Sequence, residues 1–164
     1  MNIIKMIPKI FELKEKKLIG KRLKMSLTSN RTGELWASFM PRKAEIESKV
    51  SNDLISLQIY PINYFLEFNP NAEFEKWATI EVTDFENLPN DFETFTLEPG
   101  LYAVFNYIGL SSNPEIFKYI YGTWLPGSEY LLDSRPHFEV LGEKYKNNDP
   151  NSEEEIWIPI KIKY

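Results

Sequence analysis

An α+β fold, built from two copies of a β-α-β-β unit with pseudo-twofold symmetry and a ligand cleft between them, follows from three features of the sequence. Period-two apolar segments recur along the chain, two short segments carry helical spacing, and the second half repeats landmarks of the first. Phe39-Met40-Pro41 after the first helix is matched by Trp124-Leu125-Pro126 after the second. Glu75-Lys76-Trp77-Ala78-Thr79-Ile80 is matched by Glu155-Ile156-Trp157-Ile158-Pro159-Ile160. At 164 residues the chain is long enough for one domain with a real core. One domain is expected over 1–164, with repeat 1 at about 9–84 and repeat 2 at about 92–164.

Each element has its own local reason. Ile10 to Leu27 reads as one extended segment, interrupted near Gly20 by a bulge or turn. Ser29-Asn30-Arg31-Thr32 offers caps for a helix whose apolar positions are Leu35, Trp36, Phe39 and Ile46; Pro41 either ends or kinks it. Leu54 to Tyr60 alternates and stops at Pro61. Trp77 to Val82 is a strand with Ala78, Ile80 and Val82 on one face. Phe92 to Leu97 is a short strand closed by Pro99-Gly100, and the apolar run Leu101 to Ile108 reads as a central strand. Ser112-Asn113-Pro114-Glu115 starts a second helix with a cap, an early proline and an acid at the positive dipole end. Ile116, Tyr119, Ile120 and Thr123 form its inner face, and Pro126-Gly127 ends it. Phe138 to Leu141 and Ile156 to Ile162 are the last strands, with Pro159 suggesting an edge or a bulge.

Composition removes several kinds of chemistry. With no cysteine there is no disulfide framework, thiol nucleophile or thiolate metal site, and one histidine leaves no two-histidine metal motif. Neither a P-loop nor a dinucleotide fingerprint is present. No cofactor and no metal are expected. Residues 1–50 hold 12 Lys/Arg against 5 Asp/Glu, and residues 51–164 hold 7 against 19. The basic residues 14–24 alternate with Leu18, Ile19 and acids, so they read as the wet face of a strand rather than a nucleic-acid footprint. Met1 to Pro8 has no leader pattern, no stretch reaches the ~20 apolar residues of a membrane span, and Asn30-Arg31-Thr32 reads as a chance sequon. A soluble, cytoplasmic protein without direct nucleic-acid or membrane binding is expected.

What remains is a carboxylate among rings. Eleven Phe, nine Tyr and four Trp make up 15% of the chain. In Arg135-Pro136-His137-Phe138-Glu139-Val140-Leu141 the period of two puts Glu139 on one face with His137 and Leu141. A carboxylate there must be solvated, paired, or protonated with a raised pKa. Taken alone, a Glu139 that points to water or pairs with a lysine is the ordinary reading. His137 alone carries little, and Glu153-Glu154-Glu155 reads as a solvated loop. The tyrosines shift the balance, because a buried phenol needs a partner; Tyr60, Tyr64, Tyr102, Tyr107, Tyr119 and Tyr121 therefore point to a wet aromatic cavity. Such a site suits an organic cation. Phe11, Phe39, Phe105 and Phe117 are read as packing, while Trp124, Trp157, Tyr102 and Phe138 cluster in the segments around Glu139.

Leu101 to Gly109, Ile120-Tyr121-Gly122-Thr123-Trp124-Leu125-Pro126, Arg135-Pro136-His137-Phe138-Glu139 and Ile156-Trp157-Ile158-Pro159-Ile160 together resemble the GyrI-like small-molecule-binding family. Leu35-Trp36 to Met40-Pro41 and Lys76-Trp77-Ala78 extend the resemblance over nearly the whole chain. The effector-binding domains of AraC-type and MerR-type multidrug regulators are of the same kind. The resemblance implies duplicated SHS2 modules with a cleft between them, and a buried glutamate amid aromatics that receives hydrophobic cations. Glu139 matches that glutamate. Trp124 and Trp157 match aromatic positions of the pattern, and Tyr102, Phe138, Tyr60 and Tyr121 are expected to line the site.

No DNA-binding segment accompanies these motifs, so a stand-alone binder of amphipathic organic compounds, cations among them, is expected to act in drug or toxin sensing or sequestration or in transcription-linked regulation. Two alternatives come with the resemblance. One is a hydrolase of electrophilic cyclopropane-type compounds with Glu139 as its catalytic base. The other is an interaction protein that modulates DNA gyrase.

Overall fold

The computed structural model describes residues 6–163; Met1–Lys5, part of the stretch read for a leader, and Tyr164 lie outside them. The first half runs β1 (Lys9–Leu13), β2 (Lys16–Met25), α1 (Thr32–Phe39), β3 (Lys49–Ile59) and β4 (Phe74–Val82), with a 3-10 segment at Met40–Glu45 after the helix. The second half runs β5 (Glu93–Leu97), β6 (Gly100–Ile108), α2 (Glu115–Tyr119), β7 (Tyr130–Leu132), β8 (His137–Leu141) and β9 (Glu153–Ile162).

The strands pair antiparallel in the order β1-β6-β9-β8-β3-β4-β2-β5, with β7 added to β9. This order is symmetric about the β8–β3 seam. Each half contributes one strand to the far side: β1 pairs with β6, and β5 pairs with β2. Only Lys14 and Glu15 separate β1 from β2, which lie toward opposite ends of the order. The sheet must therefore curl on itself. Inside the curl Leu18, Leu57, Leu97, Tyr102 and Phe138 are sealed from solvent without help from a helix.

Both helices lie on the other face. Leu35 and Phe39 of α1 pack on Ile19, Ala78 and Ile80, while Ile116 and Ile120 pack on Phe105, Ile156 and Ile158. Fully burying side chains of this size contributes about 1.5–3 kcal/mol each, so these contacts fix the helices over the sheet. The basic strand β2 runs between acidic neighbours: Arg22 bonds Glu75 at 2.8 Å and Glu93 at 2.9 Å, and Lys16 meets Glu81 at 3.0 Å.

Several expectations need correction. The Ile10–Leu27 segment breaks at Lys14-Glu15 and not at Gly20, which lies within β2, where a Cβ would run into the Ala78 carbonyl. β6 is not central but next to the edge strand β1. Pro159 is in an interior strand, yet it falls where β9 changes partner from β8, which ends at Trp157, to β7, which begins at Ile160. Its carbonyl accepts from Asp133 N–H on that side, so the missing N–H falls in the gap in the ladder. Thr123 is exposed because Ile120–Trp124 widens into a π-turn, which carries Trp124 against Phe105 instead.

Candidate functional site

The outer face of the central strands is polar where it passes between the two helices. In register across the seam, Lys76 of β4 pairs with Gln58 of β3, Gln58 pairs with His137 of β8, and Ser56 pairs with Glu139. These side chains share the helix-bearing face, and Lys76, Gln58, His137 and Glu139 form the floor of a cavity of about 850 Å³. Thr32 at the start of α1 stands on one side, and Phe117 and Tyr121 stand on the other. The connection from β3 to β4 supplies a third wall through Tyr60, Tyr64, Phe65 and Phe68. The cavity is thus lined from both halves of the chain.

The rings form a connected group around the imidazole. Tyr60 meets His137 edge-on at 4.8 Å, Phe65 stacks on His137 at 5.2 Å, and Phe65 lies 5.1 Å from Tyr121. Tyr60 also contacts Tyr64 at 4.6 Å and Phe74 at 5.2 Å. The Tyr121 hydroxyl and His137 Nδ1 share a hydrogen bond of 2.9 Å. Burial pushes His137 down to about 3, so the ring is neutral at physiological pH. Burial also raises the phenols of Tyr60 and Tyr121, and the charge of Glu139 adds to both shifts.

Glu139 is half-buried and lines the cavity. Burial raises its pKa, against the pull of the Lys76 charge and the Gln58 amide. Lys76 moves oppositely: burial lowers it, and the charges of Glu139 and Glu154 resist. Lys76 Nζ donates to Thr32 Oγ1 at 3.2 Å, and that hydroxyl donates on to Met25 Sδ at 3.6 Å. Among the described residues, neither Glu139 nor Lys76 forms an ion pair within 4.0 Å. The site therefore offers aromatic surface, the acid of Glu139 and the amine of Lys76, each with bonding capacity left over, while Lys118, also in the lining, pairs with Glu115 at 3.3 Å.

The residues singled out from sequence divide into two groups. Glu139, Tyr60 and Tyr121 meet in the cavity. Phe138 and Trp157 border it as strand residues, but their rings stack on each other at 5.0 Å on the opposite face, inside the curl. Tyr102 is also inside the curl, fully buried, with its hydroxyl donating to the Pro136 carbonyl at 2.7 Å. Trp124 packs between Phe105 and Tyr130 beneath α2 and does not line the cavity. Phe117, assigned to packing, is a wall residue. Glu154 is no solvated loop residue: it lies in β9 opposite Tyr107, is 8% exposed, and burial beside Glu139 pushes it up to about 7. Lys76 and Gln58 line the cavity without having been singled out from sequence. Their signal was present, since Lys76 alternates with Phe74, Ala78 and Ile80, where a lone lysine interrupts an apolar face.

A curled antiparallel sheet with few helices is the architecture of the GyrI-like effector-binding domains. Within that class the chain belongs to the family described as Cass2, integron-associated effector binding protein, which matches residues 9–160. The transcriptional regulator BrlR of Pseudomonas aeruginosa is 28% identical over 149 residues, covering 87% of this chain and 51% of BrlR, so the chain spans about half the length of that curated relative. Among solved structures, the integron cassette protein of Vibrio cholerae superposes with a TM-score of 0.62 at 16% identity, covering 93% of this chain and 95% of its own. SAV2435 bound to tetraphenylphosphonium gives 0.65 at 16% identity, with 95% and 94% covered. A hydrolase encoded by lin2189 of Listeria innocua gives 0.60 at 11% identity, with 96% and 93% covered. At such identities these likenesses concern the fold. Among the described residues no helix is long and apolar enough to cross a membrane.

Proposed function

We propose that this chain captures amphipathic aromatic molecules, organic cations among them, in the cavity over Glu139, in the service of drug or toxin sensing or sequestration. The observation that carries this reading is Glu139 itself: a carboxylate in an aromatic cavity of about 850 Å³ with no ion-pair partner among the described residues. A desolvated carboxylate attracts a cation more strongly than a solvated one, and each aromatic face adds about 0.5–2 kcal/mol. The tetraphenylphosphonium bound by SAV2435, a protein of the same fold, supports the ligand class. We read the two halves, about 9–84 and 92–164, as two repeats of one domain, because the strand order is symmetric about the seam beneath the cavity.

Calorimetric titration with tetraphenylphosphonium tests the reading. Glu139→Gln, which keeps the shape and removes the charge, is expected to bind about 10- to 100-fold more weakly. Equal affinity in both proteins would remove the carboxylate from the account.

A second reading rests on the same group. A raised carboxyl pKa beside the hydrogen-bonded Tyr121–His137 pair also suits a general base acting on an electrophile. Mass spectrometry of electrophilic cyclopropane compounds incubated with the protein checks it; turnover that disappears in Glu139→Gln is the expected result for a hydrolase, and no turnover across a panel counts against one.

A further inference from the structure

Lys76 gives the cavity a second pole. Its stem rises from the floor strand β4, and its ammonium has one protein acceptor, Thr32 Oγ1. That hydroxyl spends its own proton on Met25 Sδ, so its lone pairs face Lys76. Two of the three ammonium protons are left without a protein acceptor among the described residues. Glu139 does not neutralise the group directly. It lies two strands away and one row along, because Lys76 pairs with Gln58 and Glu139 pairs with Ser56. Strand spacing and residue rise put the two Cα atoms about 12 Å apart. Between the two strands runs β3, which places Gln58 beside Lys76. The cavity therefore carries a basic group as well as an acidic one, not directly paired, and is not uniformly acidic. A simple lipophilic cation placed there gains Glu139 and meets the like charge of Lys76. A molecule with an anionic oxygen at one end and a cation at the other satisfies both.

We propose that Lys76, held by Thr32, is an anion-binding subsite of this cavity, so that its preferred ligands are aromatic zwitterions bearing a carboxylate or similar anionic oxygen as well as a cationic nitrogen. This rests on the reading of the cavity as a small-molecule site and specifies its ligand class. Lys76 is a binding residue that touches the ligand's anionic group, and Thr32 is a positioning residue that orients it.

Two rhodamines of one chromophore separate the possibilities: rhodamine 6G, an ethyl ester and plain cation, and its free acid, a zwitterion. Fluorescence anisotropy with the full chain at neutral pH is expected to show the acid binding about tenfold more tightly than the ester. Lys76→Met should weaken the acid about tenfold or more while leaving the ester unchanged or tighter, and Lys76→Arg should keep the preference for the acid. A wild-type preference for the ester, or parallel changes for both dyes in Lys76→Met, would overturn the assignment of Lys76 and leave the cavity reading intact. Binding of neither dye to the wild-type protein would overturn the cavity reading and this inference together. The wild-type ratio needs no variant, so the test stands even where Lys76→Met fails to fold.

Discussion

Buried titratable side chains set opposite pH responses in this protein. The native pKa of Glu154, about 7, lies above the ordinary carboxyl value of 4.5. Between those values the folded chain keeps a proton that the unfolded chain releases, so this group's contribution to stability falls as pH rises through that window. Glu154→Gln removes the penalty. It is expected to match the wild type below pH 4.5 and to exceed it by on the order of 3 kcal/mol above pH 7, as read by urea unfolding at the two ends. His137 works the other way: its native value of about 3 lies below 6.5, so its contribution is lost as pH falls through that range. Legibility at this scale depended on whether the two-residue period was read far enough. His137 and Leu141 place Glu139 on its face, whereas Lys76 lies just before the clear alternation of Trp77 to Val82, in the part of β4 that begins at Phe74. That Tyr102 and Trp157 fall inside the curl escapes the sequence for a different reason. An aromatic identity does not say which side of a curled sheet it faces, and both sides of this one are buried.

The strands explain which local signals could be read. Alternation makes β3, β4 and β8 visible and an apolar run makes β6 visible; α2 begins at Glu115, with Pro114 at the cap and not at the first helical position, and the Asn113 side chain accepts from Glu115 N–H at 3.0 Å. The three-residue strand β7 has too little sequence for any period, and it exists only because β9 offers an edge beyond Pro159. In the wall from residues 60–73, Tyr60 and Tyr64 are legible as phenols that need partners, whereas Phe65 and Phe68 are not, since a connecting segment has no period to align. Gly20 is the element-scale feature with the sharpest consequence. It gave a bulge signal in sequence, but in the fold it allows β2 to press its backbone on β4, with the Ala78 carbonyl where a side chain would begin. Backbone cannot yield as a side-chain tip can. Gly20→Ala is therefore expected to cost about 2–3 kcal/mol, while Gly33→Ala, which meets nothing within 4 Å, should cost nothing and gain slightly from helix propensity. Thermal unfolding of the two variants side by side checks the difference.

At the scale of the molecule, the exchange of β1 and β5 ties the halves together. β1 covers β6 and places Phe11 against Trp157 at 5.5 Å; β5 covers β2 and places Phe95 against Trp77 at 5.4 Å. The two contacts are counterparts, as Trp77 and Trp157 are counterparts in the sequence repeat. Neither half can complete its own sheet edge or close the core inside the curl, where Leu13 and Leu97 come from opposite halves. The cavity lies on the reverse of the same seam and takes Lys76 from one half and Glu139 from the other. Folding and assembly of the site are thus one event, and unfolding is expected to be a single two-state transition despite the internal repeat. Calorimetry should return equal calorimetric and van't Hoff enthalpies. Phe11→Ala and Phe95→Ala, each truncating one of the counterpart contacts, should each lower one common Tm. If the halves were independent, either variant would split the transition and leave one half melting at the wild-type temperature. A single shifted transition in both variants is the result the exchanged strands require.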